Sequence, residues 1–112
     1  MIEVVFWQGT EAKLVGLSVE GHSGFAPKGE DIVCAAVSAL AQTAVLGLKQ
    51  QLIQAPKVHI EEGSLKCFVS ASVSPGELEK AHIILTAIAA GLRAIAKIHP
   101  DYVKIKYKID CG

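Results

Sequence analysis

Charge of one sign is nowhere in excess here. Eleven lysines and arginines meet eleven aspartates and glutamates among 112 residues, and no long run of like charge breaks the balance. A broad electrostatic footprint for nucleic acid is therefore not expected, although Lys104, Lys106 and Lys108 form a local basic patch. Cysteine is sparse and odd in number: Cys34, Cys67 and Cys111, with no C-x-x-C pair. That argues against a disulfide framework and a structural zinc site. The four histidines, His22, His59, His82 and His99, show no metal-ligand spacing, so neither a metal nor another cofactor is expected. The start, Met1-Ile2-Glu3-Val4-Val5, lacks the basic region and small-residue cleavage site of a signal peptide. The longest apolar stretch, near Ile32 to Leu48, is interrupted by Ser38, Gln42, Thr43 and Gly47 and reads as too short and too polar to span a membrane. These absences leave a soluble cytoplasmic protein, without a membrane partner, as the expectation.

What is present fits one domain over residues 1–112, with 51% hydrophobic residues to build a core. Residues 2–7 are apolar and β-branched. Residues 13–20 alternate, with Val15, Leu17 and Val19 on one face and Gly16, Ser18 and Glu20 on the other, so the first twenty residues predict a hairpin. Residues 21–30 read as a loop, followed by a helix with Asp31 as N-cap, running to about Gln54 before Pro56. Its apolar positions, from Val33 through Leu52, cover a wide face, wide enough to be deeply buried or shared with another subunit. Residues 57–62 and 65–73 predict a second hairpin around Glu62-Gly63-Ser64. Ser74-Pro75-Gly76-Glu77 is a capping box with proline at the first helical position. The helix it starts carries Leu78, Ala81, Leu85, Ile88, Leu92 and Ile95 on one stripe and ends at Pro100. Residues 102–109 close the chain as a strand, with Val103, Ile105, Tyr107 and Ile109 facing inward. The order ββαββαβ predicts an α+β two-layer sandwich, a mainly antiparallel sheet with two helices.

One segment carries the candidates for chemistry. It runs Gly21-His22-Ser23-Gly24-Phe25-Ala26-Pro27-Lys28-Gly29-Glu30-Asp31-Ile32-Val33-Cys34. With Asp31 as N-cap, Cys34 is the third helical residue, where free amides and the helix dipole favour a thiolate and can donate to an oxyanion. The competing reading is a small buried hydrophobe, because Ala35, Ala36 and Val37 follow. His22 is a candidate general base or an exposed loop histidine. Gly21, Gly24 and Gly29 are candidate hinges of a lid or ordinary turn residues. A phosphate-binding loop is disfavoured, because the GK[ST] ending is missing. Ser38 lies one turn beyond Cys34 on the same helix face, either lining a site or satisfied by a backbone carbonyl. Cys67 reads as core and Cys111 as incidental. His59, His82 and His99 read as surface or helix-end residues.

Gly21-His22-Ser23-Gly24-Phe25, followed by Gly29-Glu30-Asp31-Ile32-Val33-Cys34-Ala35-Ala36-Val37-Ser38, resembles the signature of the ribosomal-processing cysteine protease Prp family. Element order and length agree with that family over essentially the whole chain. The resemblance implies a cysteine endopeptidase that removes the short N-terminal extension of a large-subunit ribosomal protein precursor, cutting after aromatic residues. It implies Cys34 as nucleophile and His22 as base, with Asp31 and Ser38 near the site. The glycine-flanked loop would order around substrate, with Phe25 a candidate contact for its aromatic side chains. It also implies a homodimer. The rival reading is a non-catalytic, ribosome-associated peptide-binding module; a thioesterase is a weaker alternative, lacking any carrier or cofactor motif.

Overall fold

Alternation in the first twenty residues produces β1 (Ile2–Gln8) and β2 (Leu14–Glu20), paired antiparallel. The computed structural model describes residues 1–21 and 28–110, with the side chains of residues 28–31 outside the description. A 3₁₀ turn at Thr10–Ala12 joins the two strands. It places Glu11 and Ala12 in the left-handed region, at φ 57° and 58°, and is closed by Gly9 N donating to the Lys13 carbonyl at 2.8 Å. After α1 (Lys28–Gln51) come β3 (Lys57–Glu61), β4 (Ser64–Phe68), α2 (Pro75–Ile98) and β5 (Val103–Ile109). The sheet order is β3-β4-β2-β1-β5. Every neighbouring pair is antiparallel except β1 and β5, which run parallel. The fold is the expected α+β sandwich.

Side-chain alternation separates the two faces of this sheet. Ile2, Val4, Phe6, Leu17, Leu65, Cys67 and Val103 meet Val33, Val37, Ala41, Ala44 and Leu48 of α1 and Ala81, Leu85 and Leu92 of α2 in one core. The helices approach closely at Gly91, where an added Cβ would sit 3.2 Å from Leu40 Cδ1. On the opposite face the Phe68 ring lies against Gly16, leaving no room for a Cβ, and Trp7 Nε1 donates to Ser18 Oγ at 3.3 Å.

Several boundaries differ from the expected ones, each for a physical reason. α1 starts at Lys28, so Gly29, Glu30 and Asp31 lie in the helix and Asp31 is not its N-cap. The sequence suits the earlier start, because Glu30 and Asp31 then fall in the first turn, at the positive end of the helix dipole. β4 ends at Phe68 rather than residue 73. Val69 N still donates to the Val15 carbonyl, but Ser70 Oγ then accepts from Ser72 N at 3.2 Å and closes a turn. In β5 the expected inward face emerges from under the helices: Val103 is buried, whereas Tyr107 is 45% and Ile109 71% exposed on an edge strand. The α1 segment Ile32–Gln51 and α2 are each long and apolar enough to cross a membrane by length and composition, contrary to the reading of the Ile32 to Leu48 stretch. Only 33% and 28% of those windows is buried, so both helices carry more apolar surface than the core uses.

The capping box forms by half. Ser74 Oγ accepts from Glu77 N at 3.2 Å. The Glu77 carboxylate does not reciprocate; it accepts from Ile53 N and pairs with Lys80 Nζ at 3.4 Å. Diverting the Ile53 amide to Glu77 also explains why α1 stops at Gln51 rather than Gln54. Glu77 is thus a buried clamp between the end of one helix and the start of the other. Glu77→Ala is expected to lower the unfolding free energy by about 2 kcal/mol, because a buried amide loses a charged acceptor. Glu77→Gln, which keeps an acceptor oxygen, should lose less. Urea denaturation of the two variants checks this.

Candidate functional site

A cavity of about 150 Å³ opens where the first half of α1 faces β1, β2 and the β3–β4 turn. Cys34, Ser38 and Gln42 line it from successive turns of α1. Ile2, Val19, Val37, Ala41, Ile60 and Leu65 supply an aliphatic wall, and Gly21 with Gly63 closes one end. Cys34 is neither fully buried nor fully exposed, which is what a thiol that must meet both solvent and substrate requires. The earlier start of α1 changes its electrostatic setting. Cys34 is the seventh residue of the helix, counted from Lys28, and its amide belongs to the helical ladder. It is not among the unpaired amides of the N-terminus, so Cys34 is not the third helical residue that Asp31 as N-cap would have made it.

Ser38 lies in the same cavity, as its spacing from Cys34 requires, and Ser38 Oγ accepts from Gln42 Nε2 at 2.9 Å. Gly21 is fixed on three counts. Its φ is +91°, its N–H donates to the Gly63 carbonyl at 2.9 Å, and an added Cβ would stand 2.4 Å from the Met1 carbonyl oxygen. The chain therefore leaves β2 toward His22 from a pinned point on the cavity rim. His22, Gly24 and Phe25 lie outside the described residues, as do the Asp31 side chain and Cys111. Among the expected site residues, the structure brings together Gly21, Cys34 and Ser38. Gln42, Ile60, Glu61, Gly63 and Ser64 line the same cavity without having been expected there. Of these, Gly63 and Ser64 carried a signal in the sequence, as part of the turn of a hairpin.

Among the described residues, Cys67, His59, His82 and His99 serve the framework. Cys67 is fully buried on the inner face of β4, and burial pushes its pKa up to about 11 against the weaker pull of Lys49. A thiol kept neutral by folding stabilises the protein fully below its unfolded pKa near 9, and that contribution is lost as pH rises through 11. Wild type should therefore lose stability relative to Cys67→Ala between pH 9 and 11, by about 2–3 kcal/mol, as read from urea midpoints. His82 is not a simple surface residue: its Nδ1 accepts from Leu14 N at 2.9 Å and fixes the start of β2. His59 pairs with Glu61 at 3.5 Å, and His99 caps α2 and stacks on Tyr102. Among the described residues no three His, Cys, Asp or Glu side chains gather where a metal ion would sit. A larger cleft of about 630 Å³ lies at the other end of the strands, between Gly9, Gln54, Phe68 and Asp110, and none of the described residues lining it is a cysteine or histidine.

Comparison with known proteins adds an independent line. A family described as cysteine protease Prp matches residues 1–104. Several solved structures share the fold, among them the following three. SMU.848 from Streptococcus mutans superposes with a TM-score of 0.82 at 26% identity, covering 98% of this chain and 96% of that one. The essential ribosomal processing protease Prp from S. aureus, in complex with a covalently linked product peptide, gives 0.79 at 23% identity over 96% of this chain and 100% of that one. The same S. aureus protease in complex with a substrate peptide gives 0.82 at 22%, with the same coverage. No curated protein matches significantly.

Proposed function

Because the chain belongs to the Prp family of cysteine proteases, we propose that it removes a short N-terminal extension from a large-subunit ribosomal protein precursor, cutting after aromatic residues with Cys34 as nucleophile and His22 as base. The observation that carries this reading is the cavity itself. It sets a half-buried cysteine against an aliphatic wall and beside Gly21, the residue from which the chain proceeds to His22. A cavity near 150 Å³ with aliphatic walls accepts a benzene-sized ring, which supports an aromatic side chain next to the scissile bond. The S. aureus relative, crystallised with a substrate peptide and with a covalently linked product peptide, supports peptide chemistry of this kind.

In this mechanism His22 takes the proton from the Cys34 thiol, and the thiolate attacks the scissile carbonyl carbon. The tetrahedral intermediate collapses as His22 returns the proton to the leaving amine. Water, deprotonated by His22, then hydrolyses the thioester and frees the thiol and the extension as a carboxylate. Asp31 and Ser38 act as supporting groups, and the segment through Gly24 and Phe25 closes over the substrate. The reaction takes place in the cytoplasm and needs no nucleic acid. The test is mass spectrometry of a precursor peptide incubated with the enzyme. One cut after the aromatic residue supports the reading; an unaltered peptide, or equal cutting when alanine replaces the aromatic, contradicts it.

The same reading includes a homodimer through α1. Ile32 and Leu46 are 70% and 61% exposed, and with the exposed Ala39 they recur every seven residues along that helix. An exposed apolar stripe on one helix face is surface that pairing with a second copy would bury. Leu46→Glu is expected to convert a dimer to a monomer in analytical ultracentrifugation. A wild-type monomer at micromolar concentration contradicts the pairing.

A further inference from the structure

The hydrogen-bond register of the sheet fixes which backbone groups of β3 are unused. Residues of a strand alternate the side on which their N–H and C=O bond. In β4 and its flanks, Gly63 O accepts from Gly21 N at 2.9 Å, and Val69 N donates to Val15 O at 2.8 Å. Gly63, Leu65, Cys67 and Val69 therefore bond toward β2, and Ser64, Lys66 and Phe68 bond toward β3. Their partners on β3 are Glu61, His59 and Lys57. Among the described residues no strand pairs on the outer side of β3, so the N–H and C=O groups of Val58 and Ile60 are directed to an open edge. Their side chains, by the same alternation, project to the helix side of the sheet.

Ile60 joins this edge to the site. Its side chain lines the Cys34 cavity yet is 59% exposed, and Glu61 lines the cavity beside it. A chain lying along β3 would thus meet an open backbone ladder and the thiol cavity at once. We infer that the substrate docks by strand addition: the precursor's extension pairs in extended form with the outer edge of β3, through the N–H and C=O of Ile60 and Val58, and one of its side chains enters the Cys34 cavity. This inference rests on the proteolytic reading above and adds how the substrate is held. Main-chain pairing supplies affinity that does not depend on the sequence of the extension, and the cavity supplies the side-chain selection. The two anchoring residues stand about 6.7 Å apart, the repeat of an extended peptide.

The register makes the inference testable without dismantling the sheet. Proline at position 60 removes an amide that takes no part in the β3–β4 ladder, and edge strands tolerate proline at such a position. A fluorescent peptide spanning the extension is titrated into Cys34→Ala, Cys34→Ala with Ile60→Pro, and Cys34→Ala with Ile60→Val. The proline variant is expected to bind about tenfold more weakly than the valine variant, the loss of one main-chain hydrogen bond with a β-branched apolar side chain kept in the comparison. Peptides N-methylated one residue at a time, tested on Cys34→Ala alone, should lose affinity at alternate positions; this readout needs no variant of β3 to fold. Equal binding by the proline and valine variants, a methylation scan without period two, or no binding of the parent peptide overturns strand addition. Binding with the expected period two but no cleavage by wild type leaves strand addition standing and overturns the proteolytic reading instead.

Discussion

Cys34→Ala is expected to lower precursor cleavage by about 10⁴-fold or more, the scale on which enzymes lose rate when a covalent nucleophile is removed. The fold should survive. Cys34 is only half-buried, and alanine is the better helix former at an α1 position. The change in unfolding free energy should stay within about 1 kcal/mol. Peptide binding should persist, because the aliphatic wall of Ile2, Val37, Ile60 and Leu65 is untouched. Residual cleavage within tenfold of wild type would remove Cys34 from the chemistry. Binding retained in a chain that never cuts, in wild type as well as variant, would establish the binding-module reading.

The second large effect is expected at Gly21. A β-carbon there meets two obstacles together: a φ of +91°, which L side chains rarely adopt, and the Met1 carbonyl oxygen 2.4 Å away. The obstacle is backbone, so no rotamer change relieves it. Gly21→Ala should lower the unfolding free energy by about 1–3 kcal/mol. It should also lower cleavage by about 10²-fold, because a shift near 1 Å in the departure of the chain toward His22 is enough to misalign a general base. The two losses are separable. At a temperature where the variant is fully folded by circular dichroism, the cleavage deficit should remain. Full activity in folded Gly21→Ala would mean that the geometry of this residue does not set the position of His22.

Much of this architecture was legible because one-dimensional patterns mapped directly onto faces. Val15, Leu17 and Val19 alternate and point to the helices. Ser74-Pro75 announced α2 to the residue. The places where the sequence misled are those where a distant partner decided the outcome. Glu77 matched a capping box, yet its carboxylate was claimed by Ile53, 24 residues earlier. Asp31 is a good cap by type, but the helix starts three residues before it. The edge position of β5, which exposes Tyr107 and Ile109, is a property of strand order, and no local pattern encodes strand order. At the candidate site, Cys34 and Ser38 were readable from their spacing on a helix. Gln42, Ile60 and Glu61 were not, because they reach the cavity only after β3 is placed at the sheet edge next to the first turns of α1.

The most direct test of the central claim is covalent. A peptide with the sequence of the extension, ending in an aromatic residue whose carboxyl is replaced by a chloromethyl ketone, would be incubated with the wild-type protein and the adduct mapped by tandem mass spectrometry. Stoichiometric alkylation of Cys34 is expected, with Cys67 and Cys111 unmodified and cleavage activity lost in step with labelling. Modification of Cys67 or Cys111 instead, or full labelling of Cys34 with undiminished cleavage, would contradict that claim.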